Sequence, residues 1–315
     1  MDLIIDKANI LSLLSSGDDN AIFEYTRLIK RGIRLCFNFN KEEVDVSSPD
    51  GGKIMMWLSN LAHGRKSPLP VWNPTIVSDD IKSNFASSLS TEQKRSIFLL
   101  DNQDVIPKIQ EKGAILIGSV GQEAELLLSL TLEDTEVATS KISSWIDYCP
   151  ALPLTDIIIS DNHFFKDSYV YSQNKDELIS GLTQVVNQSP VNCVIVYKIN
   201  EVDNALNLEN EVDTLKKSIK KITGSSKSSV TLIGTYSTHD RNAITNYYRI
   251  KNGSCFHLKD NGLKPDVTTE IKTHANIANE NRTNELILLY QRIIDESKGK
   301  YIFGDKKSNF LKFPE

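Results

Sequence analysis

Short runs with a two-residue apolar period and longer stretches with a helical stripe take turns along most of this chain. Leu3-Ile4-Ile5 predicts a strand that ends at Asp6. Ile22, Tyr25, Leu28 and Ile29 form a helical stripe over 22–30, which Arg31-Gly32 closes, and 33–39 alternates as the next strand. The cluster Ser47-Ser48-Pro49-Asp50-Gly51-Gly52 predicts a turn before a helix over 53–62. Residues 63–80 lack periodicity and predict a loop. Further on, 96–100 predicts a buried strand ending at Asp101, followed by a helix over 105–112, a short strand over 114–117 and a helix over 123–130. Gly118-Ser119-Val120-Gly121 has no Lys-Ser/Thr of a P-loop and predicts a tight turn.

The second half repeats this alternation. Strands are predicted at 155–162, 193–197 and 230–233, with helices over 175–187 and 209–223 between them. A late helix over 285–294 carries Leu286, Leu289, Tyr290, Ile293 and Ile294 on one side. Alternating strands and helices predict an α/β fold in two domains. The boundary falls near the Pro150-Ala151-Leu152-Pro153 punctuation, giving domains over 1–150 and 151–298. A tail over 299–315, with Tyr301, Phe303, Phe310 and Phe313, is expected to dock on its own chain or on a partner.

Composition sharpens this only slightly. The 315 residues are 40% apolar and 24% charged, as in an ordinary globular chain. The net charge of -5 argues against a protein that coats nucleic acid through overall positive charge, although a local basic patch remains compatible with it. No apolar run approaches the roughly 18 residues that a membrane span needs, and no secretory leader is visible, so the chain is expected to be cytoplasmic. The 4 cysteines are scattered without a Cys-x2-Cys pair, which gives no support to a disulfide framework or a zinc knuckle.

The chemistry concentrates around Thr238-His239-Asp240-Arg241. On an extended segment His239 and Arg241 would point to one face, with Asn246 just past the next bend. The spacing His-x-Arg-x4-Asn resembles the His-x-Lys-x4-Asp signature of phospholipase D-like phosphodiesterases. From 154 to about 280 the order of blocks is similar to the phospholipase D-like domain found C-terminal to MIT (microtubule-interacting and trafficking) domains. Those blocks are the acidic strand 155–162, the helix 175–187, the strand 193–197, the charged helix 209–223 and the His-Asp-Arg triplet. The resemblance implies a histidine that attacks phosphorus, a second that protonates the leaving oxygen, and a cation that holds phosphate oxygens. Arg241 can take the cation's place through its planar fork. Asn246 stands where the family has a carboxylate, and no second His-x-Lys/Arg motif is present, so catalysis would need a homodimer. Gly253-Ser254-Cys255-Phe256-His257-Leu258 departs from the stretch that usually follows in the family.

Other residues offer weaker chemistry. Asp156, Asp161 and Asn162 could rim a phosphate pocket, pair with Arg241, or simply make a strand-end turn. Lys217 and Lys221, with Lys216 and Lys220, give the helix 209–223 a basic face suited to phosphate or acidic lipid. The N-terminal part resembles PIN-like nucleases: Asp6, with Asn9 three residues later, and Asp101 sit at strand ends, where carboxylates could hold a divalent metal such as Mg. Asp104 and Glu24 could add to them. The expected function is recognition of phosphodiesters, with nucleic acid as partner and nuclease-like activity. A non-enzymatic scaffold that binds protein or acidic lipid is the alternative.

Overall fold

A computed structural model describes residues 2–15, 19–31, 33–62, 70–72, 96–99, 115–117, 134–149, 152, 154–165, 178–182, 190–199, 207–236, 241–253, 256 and 267–314. The fold is α/β. The chain divides into two compact units, Met1–Glu133 with His274–Glu280, and Asp134–Thr273 with Asn281–Glu315. Residues 134–149 thus belong with the second unit. Among the described residues, no helix is long and apolar enough to cross a membrane.

The first unit is built on a parallel sheet. Its strands are β1 (Asp2–Ile5), β2 (Arg34–Phe37), β3 (Val71–Trp72), β4 (Ser96–Leu99) and β5 (Ile115–Ile117), in the order β3-β2-β1-β4-β5. Leu3, Ile4 and Ile5 are all buried, as expected for a parallel strand covered on both faces. Three helices are described here: α1 (Lys7–Ser15), α2 (Asp19–Arg31) and α3 (Pro49–Ala62). The helix α1 was not anticipated, although Ile10 and Leu13 have helical spacing and are both buried. α3 begins four residues earlier than its periodicity suggested. Ser48 caps it by accepting Gly51 N at 3.0 Å, and Pro49 occupies the first helical position, where its missing N–H does no harm. The sequence positions 63–69, 73–95, 100–114 and 118–133, including the helices expected over 105–112 and 123–130, lie outside the described residues.

The second unit carries a mixed sheet. Its strands are β6 (Thr135–Ala138), β7 (Asp156–Ser160), β8 (Asn192–Lys198), β9 (Ser229–Thr235), β10 (Arg241–Thr245), β11 (Tyr248–Asn252), β12 (Thr268–Thr273) and β13 (Ile302–Gly304). Their order is β13-β9-β8-β7-β10-β11-β12-β6. β7, β8 and β9 are parallel, whereas β10 runs antiparallel to β7 and every pair beyond it is antiparallel. Every residue of β7 and β9 is buried, which explains their near-continuous apolar sequence. A helix, α4 (Leu208–Thr223), links β8 to β9 and buries Val212, Leu215 and Ile219. Asn207 caps its start by accepting from Glu209 N and Asn210 N, and Gly224 ends it in a left-handed conformation at φ 69.

One face of this sheet is closed by α5 (Ile277–Ser297) together with the chain's last residues. Ile158, Val194, Val196, Ile233 and Ile244 pack with Leu286, Tyr290 and Ile294 of α5, and with Ile302 and Leu311. The segment read as an aromatic tail therefore docks on its own unit. β13 adds to the edge of β9, and Phe310 and Phe313 pack against the same cluster. Asp305 fixes the crossing by accepting Val230 N at 2.9 Å and Lys216 Nζ at 2.7 Å. Gly304 has φ 98, and a Cβ there would meet Val230 O at 2.2 Å, so the strand's close approach requires glycine.

Candidate functional site

The parallel strands β7, β8 and β9 end at one edge of the larger sheet, and β10 begins there. Asn242 is in register with Ser160, and Lys198 with Thr235. Ligands in open α/β sheets gather at such carboxyl edges, where strand order changes. Here the chain leaves β9 and returns as β10, with β8 and β7 lying between them in the sheet. The connection from 237 to 240 contains His239, which lies outside the described residues, as do Thr238 and Asp240.

Arg241 opens β10 opposite Asn252. It is half-buried, and its Nε is withdrawn from solvent without an acceptor among the described residues. Of the two carboxylates proposed as partners, Asp161 follows β7 at this edge, whereas Asp156 starts β7 at the opposite one, and both are committed elsewhere. Asp161, fully buried, accepts His163 N at 2.8 Å through Oδ1 and Phe256 N at 3.3 Å through Oδ2. Asp156, also fully buried, accepts Ser308 Oγ at 2.9 Å, Asn309 N and Nδ2, and Asn192 Nδ2 at 3.5 Å. Among the described residues Arg241 therefore pairs with neither acid, and a guanidinium can hold an anion through two oxygens at once. Behind it the edge is firmly built. Asn252 Nδ2 donates to Thr139 Oγ1 at 3.1 Å and Thr269 Oγ1 at 2.8 Å, and Trp145 Nε1 donates to Phe256 O at 3.1 Å.

Asn246 has a different place from the one its spacing suggested. It sits in the two-residue turn between β10 and β11, at the opposite end of the hairpin from Arg241. Its side chain is fully buried, with Oδ1 accepting Thr155 N at 2.9 Å and Asp156 N at 3.1 Å. The five residues of β10 separate it from Arg241 by about 17 Å of strand, so the two cannot share one phosphate. Asn246 is a structural clasp between the hairpin turn and the start of β7.

Lys217 and Lys221 do not join Arg241 either. A helix that returns between parallel strands runs antiparallel to them, so the last turn of α4 lies toward the amino edge, where Ser229 begins β9 beside Asn192. Lys221 and Lys220 are exposed in that last turn, where cations favour the helix dipole. Lys216 pairs with Asp305. A guanidinium that sequence reading passed over, that of Arg249, is buried in β11 and donates from Nη1 to Asn242 Oδ1 at 3.2 Å. Its position opposite Ile244 on an inward face was the available signal, but only once the pairing of β10 with β11 is known.

In the first unit, Asp6 caps α1. Its Oδ1 accepts Asn9 N at 2.8 Å and Asn9 Nδ2 at 2.9 Å, and its carbonyl accepts Ile10 N at 3.1 Å. The pair Asp6 and Asn9 is thus an N-cap with its third helical residue. β1 and β4 are neighbours where this sheet's order reverses, and Asp101 follows β4 by two residues, outside the described residues. Among the described residues, no three His, Cys, Asp or Glu side chains gather as a cation site requires.

No protein-family model and no curated protein matches the chain. Among solved structures it is similar to TrmBL2, an archaeal chromatin protein whose structure shows a novel mode of DNA binding. The identity is 12%, over 78% of this chain and 83% of that one, with a TM-score of 0.28. A likeness of that size assigns neither fold nor function.

Proposed function

We propose that the second unit is a phosphodiester-binding module for nucleic acid, with Arg241 as the cation that grips phosphate. The observation that carries this reading is the state of Arg241. It stands at a carboxyl edge with its Nε buried and without an acceptor among the described residues, while Asp161, the candidate acid at that edge, holds the His163 and Phe256 amides instead. A phosphate would supply the missing acceptors through two oxygens at once. The phospholipase D-like resemblance around His239 and Arg241 points to the same ligand chemistry. Nuclease-like turnover would require His239 as nucleophile and a second histidine as acid, supplied by a homodimer.

Titration of an oligonucleotide, inorganic phosphate and acidic phospholipid vesicles against wild type, Arg241→Ala and His239→Ala tests this. Arg241→Ala should weaken oligonucleotide binding by about 1–3 kcal/mol, the range for charged hydrogen bonds, and His239→Ala by less. Both losses should shrink in high salt. Equal affinity in all three proteins would overturn the reading. Cleavage that persists in EDTA and stops in His239→Ala would add histidine chemistry to binding.

A further inference from the structure

Two tyrosines meet at the same carboxyl edge, on the far side of β8 and β7 from Arg241. Tyr236 directly follows β9 and is 58% exposed. Tyr301 directly precedes β13, and its carbonyl accepts Gly234 N at 2.9 Å. Tyr236 Oη donates to Tyr301 Oη at 3.4 Å, with ring centroids 6.0 Å apart and planes at 89°. Lys300 Nζ stands 4.9 Å from the centre of the Tyr301 ring. The hydrogen bond from Tyr236, and then that from Lys300, pull the Tyr301 hydroxyl below its ordinary range.

Tyr301 is held at φ 64, a left-handed backbone that residues with a Cβ seldom adopt. Such strain is maintained only where the surrounding structure imposes it, and it gathers at ligand sites. Core packing does not explain a large ring as exposed as Tyr236. The placement sets the pair against Arg241 along one edge. From β9 to β10 there are three strand spacings, about 14 Å in all, with Lys198 closing β8 between them.

We propose that Tyr236, braced at a right angle by Tyr301, is the stacking surface for a base of a single-stranded nucleic acid whose phosphates run across this edge to Arg241. The proposal rests on the phosphate reading of Arg241. It adds the ligand's form: flat rings stack on any base, but the bases of a duplex are already stacked on each other. A lipid headgroup offers phosphate without a π-face, so it would use Arg241 and leave the tyrosines idle.

Fluorescence anisotropy separates the two layers. The probes are a thymidine oligonucleotide of about ten nucleotides, within the range of single-strand site sizes, and an abasic chain of equal length. Wild type should prefer the thymidine chain by at least about fivefold. Tyr236→Ala should erase that preference and leave the abasic affinity unchanged. Tyr301→Asn, which tolerates the left-handed backbone, should do the same. Tyr236→Trp should keep the preference, and Arg241→Ala should weaken both chains alike. Equal binding of the two chains by wild type, with Arg241→Ala still weakening both, would overturn the platform and leave the phosphate site standing. Binding of neither chain would overturn both.

Discussion

The carboxamide of Asn246 clasps Thr155 at two points: Oδ1 accepts Thr155 N at 2.9 Å, and Nδ2 donates to Thr155 Oγ1 at 2.7 Å. The residues are 91 positions apart, and the clasp ties the β10–β11 turn to the start of β7. Asn246→Ala would leave the buried N–H groups of Thr155 and Asp156 without an acceptor. It should destabilise the protein by about 3 kcal/mol, since each unsatisfied buried donor costs about 1–3 kcal/mol. Asn246→Asp keeps both acceptors, and the Thr155 hydroxyl can turn to donate, so the loss should be smaller. Urea midpoints of the three proteins at neutral pH check the order. A midpoint for Asn246→Asp as low as that of Asn246→Ala would show that the clasp depends on its donated bond.

Asp156 is the anchor of the C-terminal strap. Its carboxylate sits at no measurable exposure and accepts from Ser308 and Asn309. Asp156→Ala should loosen residues 302–314 before the rest of the second unit, with the strap's own partners left unsatisfied. Hydrogen exchange should then rise selectively in β13, and trypsin should cut first at Lys306 or Lys307. Loss of protection spread evenly over the whole sheet would instead make Asp156 a part of the general core.

Alkaline pH should unfold the protein earlier than exposed groups would suggest. Burial pushes the Cys149 and Cys193 thiols from the ordinary value of 9.0 to about 12. Burial likewise raises the Tyr197 hydroxyl to about 12 and lifts that of Tyr248 well above its usual range. Each of these groups is neutral when protonated, and the folded state holds the proton more tightly than the unfolded chain. Their contribution is therefore complete below about pH 9 and declines as pH rises toward 12, by about 1.4 kcal/mol per pH unit for each thiol. Denaturant midpoints measured from pH 7 to 11 should be flat to about pH 9 and fall above it. Both thiols should also resist alkylation at pH 8 until the chain unfolds. A flat midpoint through pH 11 would contradict the burial of these groups.

Much of the second unit was legible locally. The strands β7, β8 and β9 and the helix α4 stand within a few residues of where apolar periodicity put them, because a buried parallel strand needs a nearly continuous apolar run. β6 and β12 were missed. Their residues are Thr135–Ala138 and Thr268–Thr273, rich in Thr and Glu and partly exposed, as antiparallel strands near a sheet edge can be. The start of α3 was misjudged because two glycines fall inside its first turn, although Ser48 and Pro49 already spelled a cap.

The candidate site divides along the same line. The sequence alone determined that a cation, Arg241, follows a histidine by two positions at the head of a strand, and that the segment belongs to an α/β fold. Tertiary structure decided which side chains share its surroundings. Spacing equated Asn246 and the lysines of α4 with a phosphate site. The hairpin carries Asn246 to the opposite end, and the crossover helix carries Lys217 and Lys221 away from it. Periodicity reports which face of an element is buried, which is a local property of side-chain alternation. It is silent on strand order, and strand order alone brings Tyr236 and Tyr301 to the edge of Arg241 while turning Asp156 and Asp161 to other partners.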